Sequence, residues 1–460
     1  MASITALGVG SGLDLAGLVD QLKAAERQKL TPVLQQQSAQ KTKISAYGRL
    51  ESAMDRVQSS ITALNDAATF KQHKSTVTGS GVLATASETA NAGRYEITVS
   101  QLARSGSAAS NSVTLDQVLT AEATNLTLNF GATYTDGEFD STAAPQSSYN
   151  LEIKAGSTLA DVRDQINADK EAGVTASIIN DGTGYRLALS SKETGKEASL
   201  VGFSGLASLT MDAATLRAGQ DAELNVNGIA ITSTTNRVEE AIQGVTLDLT
   251  AVSENPATLV IERDEASLKE AINAFVSNYN EMKSTVGRMT QFNGAGETSG
   301  ELVGDRTVRT IEDRLRRDIT DSLGTGDISR LSQMGIAIDE RGRLKVDEAK
   351  LDETIADNPE GLAAFFAGDT KEGGFAGRLS STLKEITADD GIIQSSVGSA
   401  ELRVDSLEKR KLRMEASIER STERYRKQFA GLDGMIAQMN SMSSYLTQQF
   451  DMLGAMQKSK

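Results

Sequence analysis

The chain has no cysteine, no tryptophan, one histidine and only four prolines in 460 residues. Without thiols there is no disulfide framework, no thiolate metal site and no Cys–His nucleophile. Any Ser–His machinery would rest on His73 alone, which sits between Lys71 and Lys74 where a helical pattern gives way to a strand pattern and reads as a linker residue. Aromatic residues are 4% of the total, so cores must be assembled from Leu, Ile, Val and Ala, and large apolar ligand pockets are not expected. The absence of cysteine fits a protein that works outside the reducing cytoplasm without covalent staples.

Long apolar runs are missing too. Nothing approaches the roughly 20 residues of a membrane-spanning helix. The first residues lack a basic segment and an apolar core and carry Asp14, so they do not read as a cleavable signal peptide. Positive charge is in deficit, with 47 basic against 62 acidic residues and a net charge of −15, which argues against nucleic acid as a partner. Residues 74–263 hold most of the imbalance, with 12 basic and 23 acidic residues.

Motifs that could carry chemistry are equally thin. The run GVGSG at residues 8–12 lacks the Gly-Lys-Ser/Thr ending with which a phosphate loop holds its ligand. It reads as a lead-in to a helix, with Ser11 as N-cap and Asp14 three residues on. Asp161 and Asp164 lie three apart on a short helix and read as its solvated face. No enzyme, cofactor or metal is expected.

What is present is helical periodicity at both ends. From Ser396 to Met456 two interleaved heptad series run without a proline. One is Val397, Val404, Lys411, Ile418, Tyr425, Leu432, Met439, Leu446, Leu453; the other is Ala400, Leu407, Met414, Ser421, Gln428, Met435, Met442, Gln449, Met456. Only Lys411, Ser421, Gln428 and Gln449 break the seam. A 3.5-residue repeat sustained this long predicts one helix that supercoils with others. At 1.5 Å per residue it would be roughly 90 Å long, against a radius of gyration of about 23 Å for a compact chain of this length. Part of its seam must therefore meet other subunits. From Gln428 to Gln457 the only charges are Asp433 and Asp451, so this half, rich in Met, invites burial in an assembly.

The N-terminal end shows the same spacing. Leu15, Leu18 and Leu22 share a helix face that ends near Pro32, and Tyr47, Leu50, Met54, Val57, Ile61 and Leu64 form a second stripe. From Val77 the period drops to two, as in Tyr95, Ile97, Val99. Residues 105–112, rich in Ser and Ala, read as a linker. Beyond them two strands (Leu126–Phe130 and Tyr149–Ile153), a helix capped by Thr158, and a pair of strands joined at Asp181-Gly182 make a small α+β unit. Asn227-Gly228 then marks a hairpin, and the strands at Val245–Leu249 and Leu259–Ile261 are expected to share the Tyr95 sheet. Helices return with Leu268, Ile272, Phe275 and Tyr279, followed by a stripe at Val308, Ile311 and Leu315, a hairpin around Arg341-Gly342, a short helix, a break at Pro359 and a helix from Phe375.

The expected fold is multidomain α+β: a helical coiled coil or bundle built from both termini, with two mainly antiparallel β domains inserted between. Residues 1–40 with 428–460 form a terminal helical leg, residues 41–72 with 264–427 a bundle, residues 73–105 with 221–263 a β domain, and residues 106–220 an inserted α+β domain. The candidate assembly interface is Leu15, Leu18, Leu22, Leu432, Met435, Met439, Met442, Leu446 and Leu453. The candidate bundle seam is Tyr47, Leu50, Met54, Val57, Ile61, Leu268, Ile272, Phe275, Tyr279, Val404, Leu407, Met414 and Ile418.

Several stretches carry a family likeness. GVGSGLDLAGLVDQLKAAE (8–26), AGRYEITVSQLA (92–103), AELNVNGIAI (222–231), INAFVSNYNEMK (272–283), GELVGDRTVRTIEDRLR (300–316) and LSQMGIAIDERGRLKVDEAKLDE (331–353) together resemble the flagellar filament cap, or hook-associated protein 2, family. Residues 158–195 resemble the less specific flagellin IN motif, with Ile166-Asn167 as its named pair. The resemblance implies a homo-oligomeric, secreted cap at the distal tip of the filament, exported by the flagellar type III apparatus. Flagellin would fold and insert beneath it, and hook–filament junction proteins and an export chaperone would be further partners. Some members bind host mucin, which the resemblance does not imply for this chain. The alternative is another extracellular axial component, such as a junction or phage tail protein.

Overall fold

The computed structural model describes residues 8, 11–294, 299–323, 326–370 and 372–458, with side chains as far as residue 453. Chain contacts divide it into two units, Met1–Ala67 with Leu268–Lys460 and Ala68–Ser267.

The first unit opens with α1 (Leu15–Gln28) and α2 (Thr31–Leu64). Asp14, not Ser11, caps α1, its carboxylate accepting from the Gly17 N–H at 2.9 Å. The expected cap is displaced because the Gly12 N–H turns back to the Gly8 carbonyl at 2.8 Å, which leaves Ser11 outside the first helical turn. Pro32 lies in the first turn of α2, where its missing N–H would have had no helical partner in any case. That helix then runs unbroken through residue 40, where the sequence reading drew the edge of the leg.

Residues 68–267 hold two separate cores. The first lies between a five-stranded and a three-stranded antiparallel sheet, and its residues include Ile97, Val99, Leu224, Leu247 and Leu259. Its early strands are β1 (His73–Thr78), β2 (Val82–Ala86) and β3 (Gly93–Gln101). The chain then leaves for the second core through β4 (Ser107–Ser110), β5 (Thr124–Phe130), the two-residue strands β6 (Tyr134–Thr135) and β7 (Glu138–Phe139), and β8 (Ser147–Ile153). There follow α3 (Leu159–Ala168), β9 (Val174–Asn180), β10 (Tyr185–Ser191), β11 (Leu200–Ser204) and β12 (Met211–Arg217). Return to the first core is by β13 (Ala222–Val226), β14 (Ile229–Ser233), β15 (Arg237–Ile242), β16 (Val245–Leu249) and β17 (Ala257–Arg263).

The strand orders are β1-β17-β3-β13-β14 and β15-β16-β2 around the first core, and β12-β4-β10-β9 and β11-β5-β8 around the second. The structure departs from two expectations. β17 joins β3 as read, but β16 pairs with β2 and β15 in a different sheet. The stretch read as a linker is β4, an inner strand whose Ala108 and Ser110 are buried. Its side chains are too small to register as hydrophobic alternation, and the Ser110 hydroxyl accepts from the Leu187 N–H at 2.9 Å. The Asn227-Gly228 turn is as the dipeptide demands, with φ of +50° and +88°, both positive as a type I′ hairpin requires.

The chain re-enters the helical unit with α4 (Glu265–Thr290), α5 (Arg306–Thr320), the hairpin β18 (Ile336–Ile338) and β19 (Leu344–Val346), α6 (Glu348–Asp357), α7 (Pro359–Phe366), α8 (Phe375–Thr387) and α9 (Ile392–Lys458). Pro359 does not merely break a helix. It starts α7, whose N-cap Asn358 accepts from the Gly361 N–H at 2.9 Å. The scarce aromatics are concentrated nearby: Phe375 stacks on Phe365 at 5.4 Å and meets Phe275 edge-on at 5.8 Å. The molecule is thus a multidomain α+β protein whose bundle is built from both ends of the chain. No helix among the described residues is long and apolar enough to cross a membrane.

Candidate assembly interface

α9 is a single helix of 67 residues, about 100 Å at 1.5 Å per residue. Both N-terminal helices lie antiparallel to it. The Gln37 amide donates to Glu408 at 2.7 Å, and the Gln394 amide donates to Glu51 at 3.2 Å. Fourteen residues forward in α2 are thus matched by fourteen back in α9. The pairing continues into α1, where Lys23 meets Glu419 at 3.0 Å. Lys411, which breaks the apolar series, lies half-buried with its ammonium 3.1 Å from Glu408. Hydrogen bonds from Gln37 and then Lys411 hold the Glu408 carboxyl below its ordinary range. Lys411 is thereby satisfied within α9 by the same carboxylate that Gln37 binds from α2.

The bundle seam divides cleanly by position. Tyr47, Leu50, Met54, Val57, Ile61, Leu268, Ile272, Phe275, Tyr279, Leu407 and Ile418 are buried, while Val404 and Met414 are half-buried. Among the assembly residues Leu15 is buried and Leu22 half-buried, whereas Leu18 is exposed. Leu432, Met435, Met439, Met442, Leu446 and Leu453 all lie on the surface, from 44% exposed at Leu432 to 65% at Met435 and Met439. Met456 falls outside the described side chains.

The heptad reading missed Val19, Thr422, Phe429 and Ile436, which are buried or half-buried instead. The reason is geometric. A straight helix has 3.6 residues per turn, so a strict seven-residue series drifts by about 20° per heptad around it. The covered path therefore steps from Ile418 to Thr422, Tyr425, Phe429 and Ile436, while Gln428 and Met435 rotate to the outside. Among the described residues, nothing covers Leu432, Met435, Met439, Met442, Tyr445, Leu446, Phe450, Met452 and Leu453, which form an apolar surface on the last turns of α9.

A second polar knot fixes the base of the bundle. Asp305 caps α5, accepting from the Thr307 and Val308 N–H groups at 2.9 and 3.2 Å. From α2 the Tyr47 hydroxyl reaches the same carboxylate at 2.8 Å and the Lys43 ammonium at 2.6 Å. Burial pushes the Asp305 carboxyl up, but the hydrogen bonds from Lys43 and Tyr47 outweigh it and hold the group below its ordinary range. Lys43 moves upward for the complementary reason: burial lowers it, but its bond to Asp305 and the neighbouring negative charge prevail.

Comparison with known proteins follows this architecture from end to end. Residues 11–106 match the family model for the flagellar hook-associated protein 2 N-terminus, residues 219–441 that for its C-terminus, and residues 125–193 the flagellin hook IN motif. The chain is 34% identical over 476 residues to flagellar hook-associated protein 2 of Escherichia coli strain K12, covering 98% of this chain and 99% of the relative. Against the Salmonella typhimurium protein of the same name the identity is 33% over 475 residues, with the same coverage. A crystal structure of the flagellar cap protein FliD D1-D2-D3 domains from Escherichia coli is similar at a TM-score of 0.64 and 30% identity, covering 77% of this chain and 99% of that one. With both terminal family models matched and full-length relatives above 30% identity, the chain belongs to the flagellar hook-associated protein 2 family.

Proposed function

We propose that the protein caps the distal tip of a bacterial flagellar filament, acting as a structural assembly factor and not as an enzyme. Family membership supports this reading, and one observation gives it a mechanism. The last turns of α9 present an apolar surface from Leu432 to Leu453 that nothing among the described residues covers. Such a surface on a helix end is stable only when other helices bury it. In the cap it is buried against other copies of this chain and against flagellin subunits, which fold and insert beneath it. Junction proteins at the filament base and an export chaperone complete the partner set, and passage is through the flagellar export channel. A junction or tail component is not favoured, since the full-length likeness is to hook-associated protein 2.

The experiment is a deletion strain of the source organism. Loss of the gene should release flagellin into the medium as monomers, and the intact chain supplied in trans should restore filaments. Normal filaments in the deletion strain would overturn the proposal.

A further inference from the structure

Gly8 and Ser11 together hold a carboxylate. The Gly8 N–H lies 3.2 Å from one carboxylate oxygen of Asp433 on α9, and the Ser11 N–H lies 2.8 Å from the other. The Ser11 hydroxyl donates to that second oxygen at 2.5 Å. Backbone N–H groups gathered around an anion are what a phosphate loop provides. Here the anion is a single carboxylate of the same chain, so no lysine is required. The turn depends on glycine: Gly8 has a φ of +100°, and a Cβ there would stand 1.9 Å from the Leu13 carbonyl oxygen.

We propose that Gly8 and Ser11 form a carboxylate site for Asp433, and that this contact fixes the register in which α1 lies on α9. The need for such a device follows from the sequence of α9. Between Gln428 and Gln457 only Asp433 and Asp451 carry charge, and apolar residues recur every three or four positions. An apolar stripe such as Leu15, Val19 and Leu22 would lie almost as well on that surface one helical turn further along. A polar residue in an apolar seam discriminates between registers, because the wrong one leaves it desolvated and unpaired. The Lys23–Glu419 pair joins the same two helices, but Glu419 is 64% exposed, and exposed ion pairs discriminate weakly.

The chain has no cysteine, so spin labels can be placed at two chosen sites in the full-length protein. Ala16→Cys and Ala430→Cys are both at exposed positions, and dilution with unlabelled chain suppresses signals between copies. The unaltered background should give one narrow distance distribution by pulsed electron resonance. Asp433→Leu should broaden it or move it by steps of about 5.4 Å, one helical turn, while the bundle's melting temperature stays unchanged. Gly8→Ala, which disrupts the turn without touching Asp433, should do the same. Asp433→Asn, which keeps an acceptor oxygen, and Lys23→Met should both retain the narrow distribution. A narrow, unmoved distribution in Asp433→Leu or Gly8→Ala overturns the proposal, as does a shift caused by Lys23→Met alone.

Discussion

The side-chain amide of Asn167 is paired with the backbone of Ala176 as though it were a neighbouring strand. Its Nδ2 donates to the Ala176 carbonyl at 2.8 Å, and its Oδ1 accepts from the Ala176 N–H at 2.8 Å. β9 is the edge of its sheet, so the amide satisfies backbone groups that would otherwise face solvent or another chain. Asn236 does the same for Ala103, and Asn280 for Leu344. With Ile166 buried in the core beside it, Asn167 thus ties α3 to β9. Asn167→Asp cannot donate once ionised and should destabilise the β unit by about 1–3 kcal/mol. Calorimetry on the full chain would detect this at about 2–4 °C per kcal/mol. An unchanged transition would show that the amide contributes nothing.

The Asp305 knot predicts a pH dependence for the helical unit. A carboxyl whose folded pKa is depressed contributes stability that is fully present above the unfolded value of about 3.9. That contribution is lost as pH falls through the depressed folded value. Thermal melting should therefore decline on acidification below about pH 4, and Asp305→Asn should flatten part of that decline. At neutral pH Tyr47→Phe should cost about 1.5–3 kcal/mol, the worth of a hydrogen bond to a charged acceptor. Asp305→Ala also removes the α5 cap and should cost about 1 kcal/mol more. Circular dichroism melts between pH 2 and pH 7 measure both effects.

Ending the chain before Gln428 removes the far half of the α1–α9 pairing but leaves the buried seam from Ile393 to Ile418 intact. The truncated protein should stay folded, with the bundle transition unchanged, and should fail to restore motility in a cap-null strain. Recovery of swimming would refute the role given to the end of α9.

Met435, Met439 and Met442 are 65%, 65% and 60% exposed. A cap must meet changing neighbours as each subunit is added beneath it, and unbranched methionine repacks at little cost. Changing all three to Leu should leave the melt of the free subunit within about 0.5 kcal/mol, as is usual for surface positions. Filament elongation, followed as length against time, should be slower. Normal elongation with a normal melt would leave these residues as mere surface.

The sequence by itself determined the long terminal helices, the burial of Tyr47, Leu50, Met54 and Phe275 on their seams, and the Asn227-Gly228 turn. Each of these rests on chemistry within a few residues: a 3.6-residue period, or two positions that accept positive φ. Only the tertiary structure decided the rest. Ser107–Ser110 is a strand because β10 and β12 lie on either side of it, and nothing in four small residues announces those neighbours. β16 chose β2 over β3 because pairing is settled by strands far away in the chain. Thr422 and Phe429 replaced Gln428 on the covered face because the pitch of α9, not the repeat in its sequence, determines which side meets α1. The turn at Gly8–Ser11 gained its meaning from Asp433, more than four hundred residues away, a distance across which no local pattern carries information.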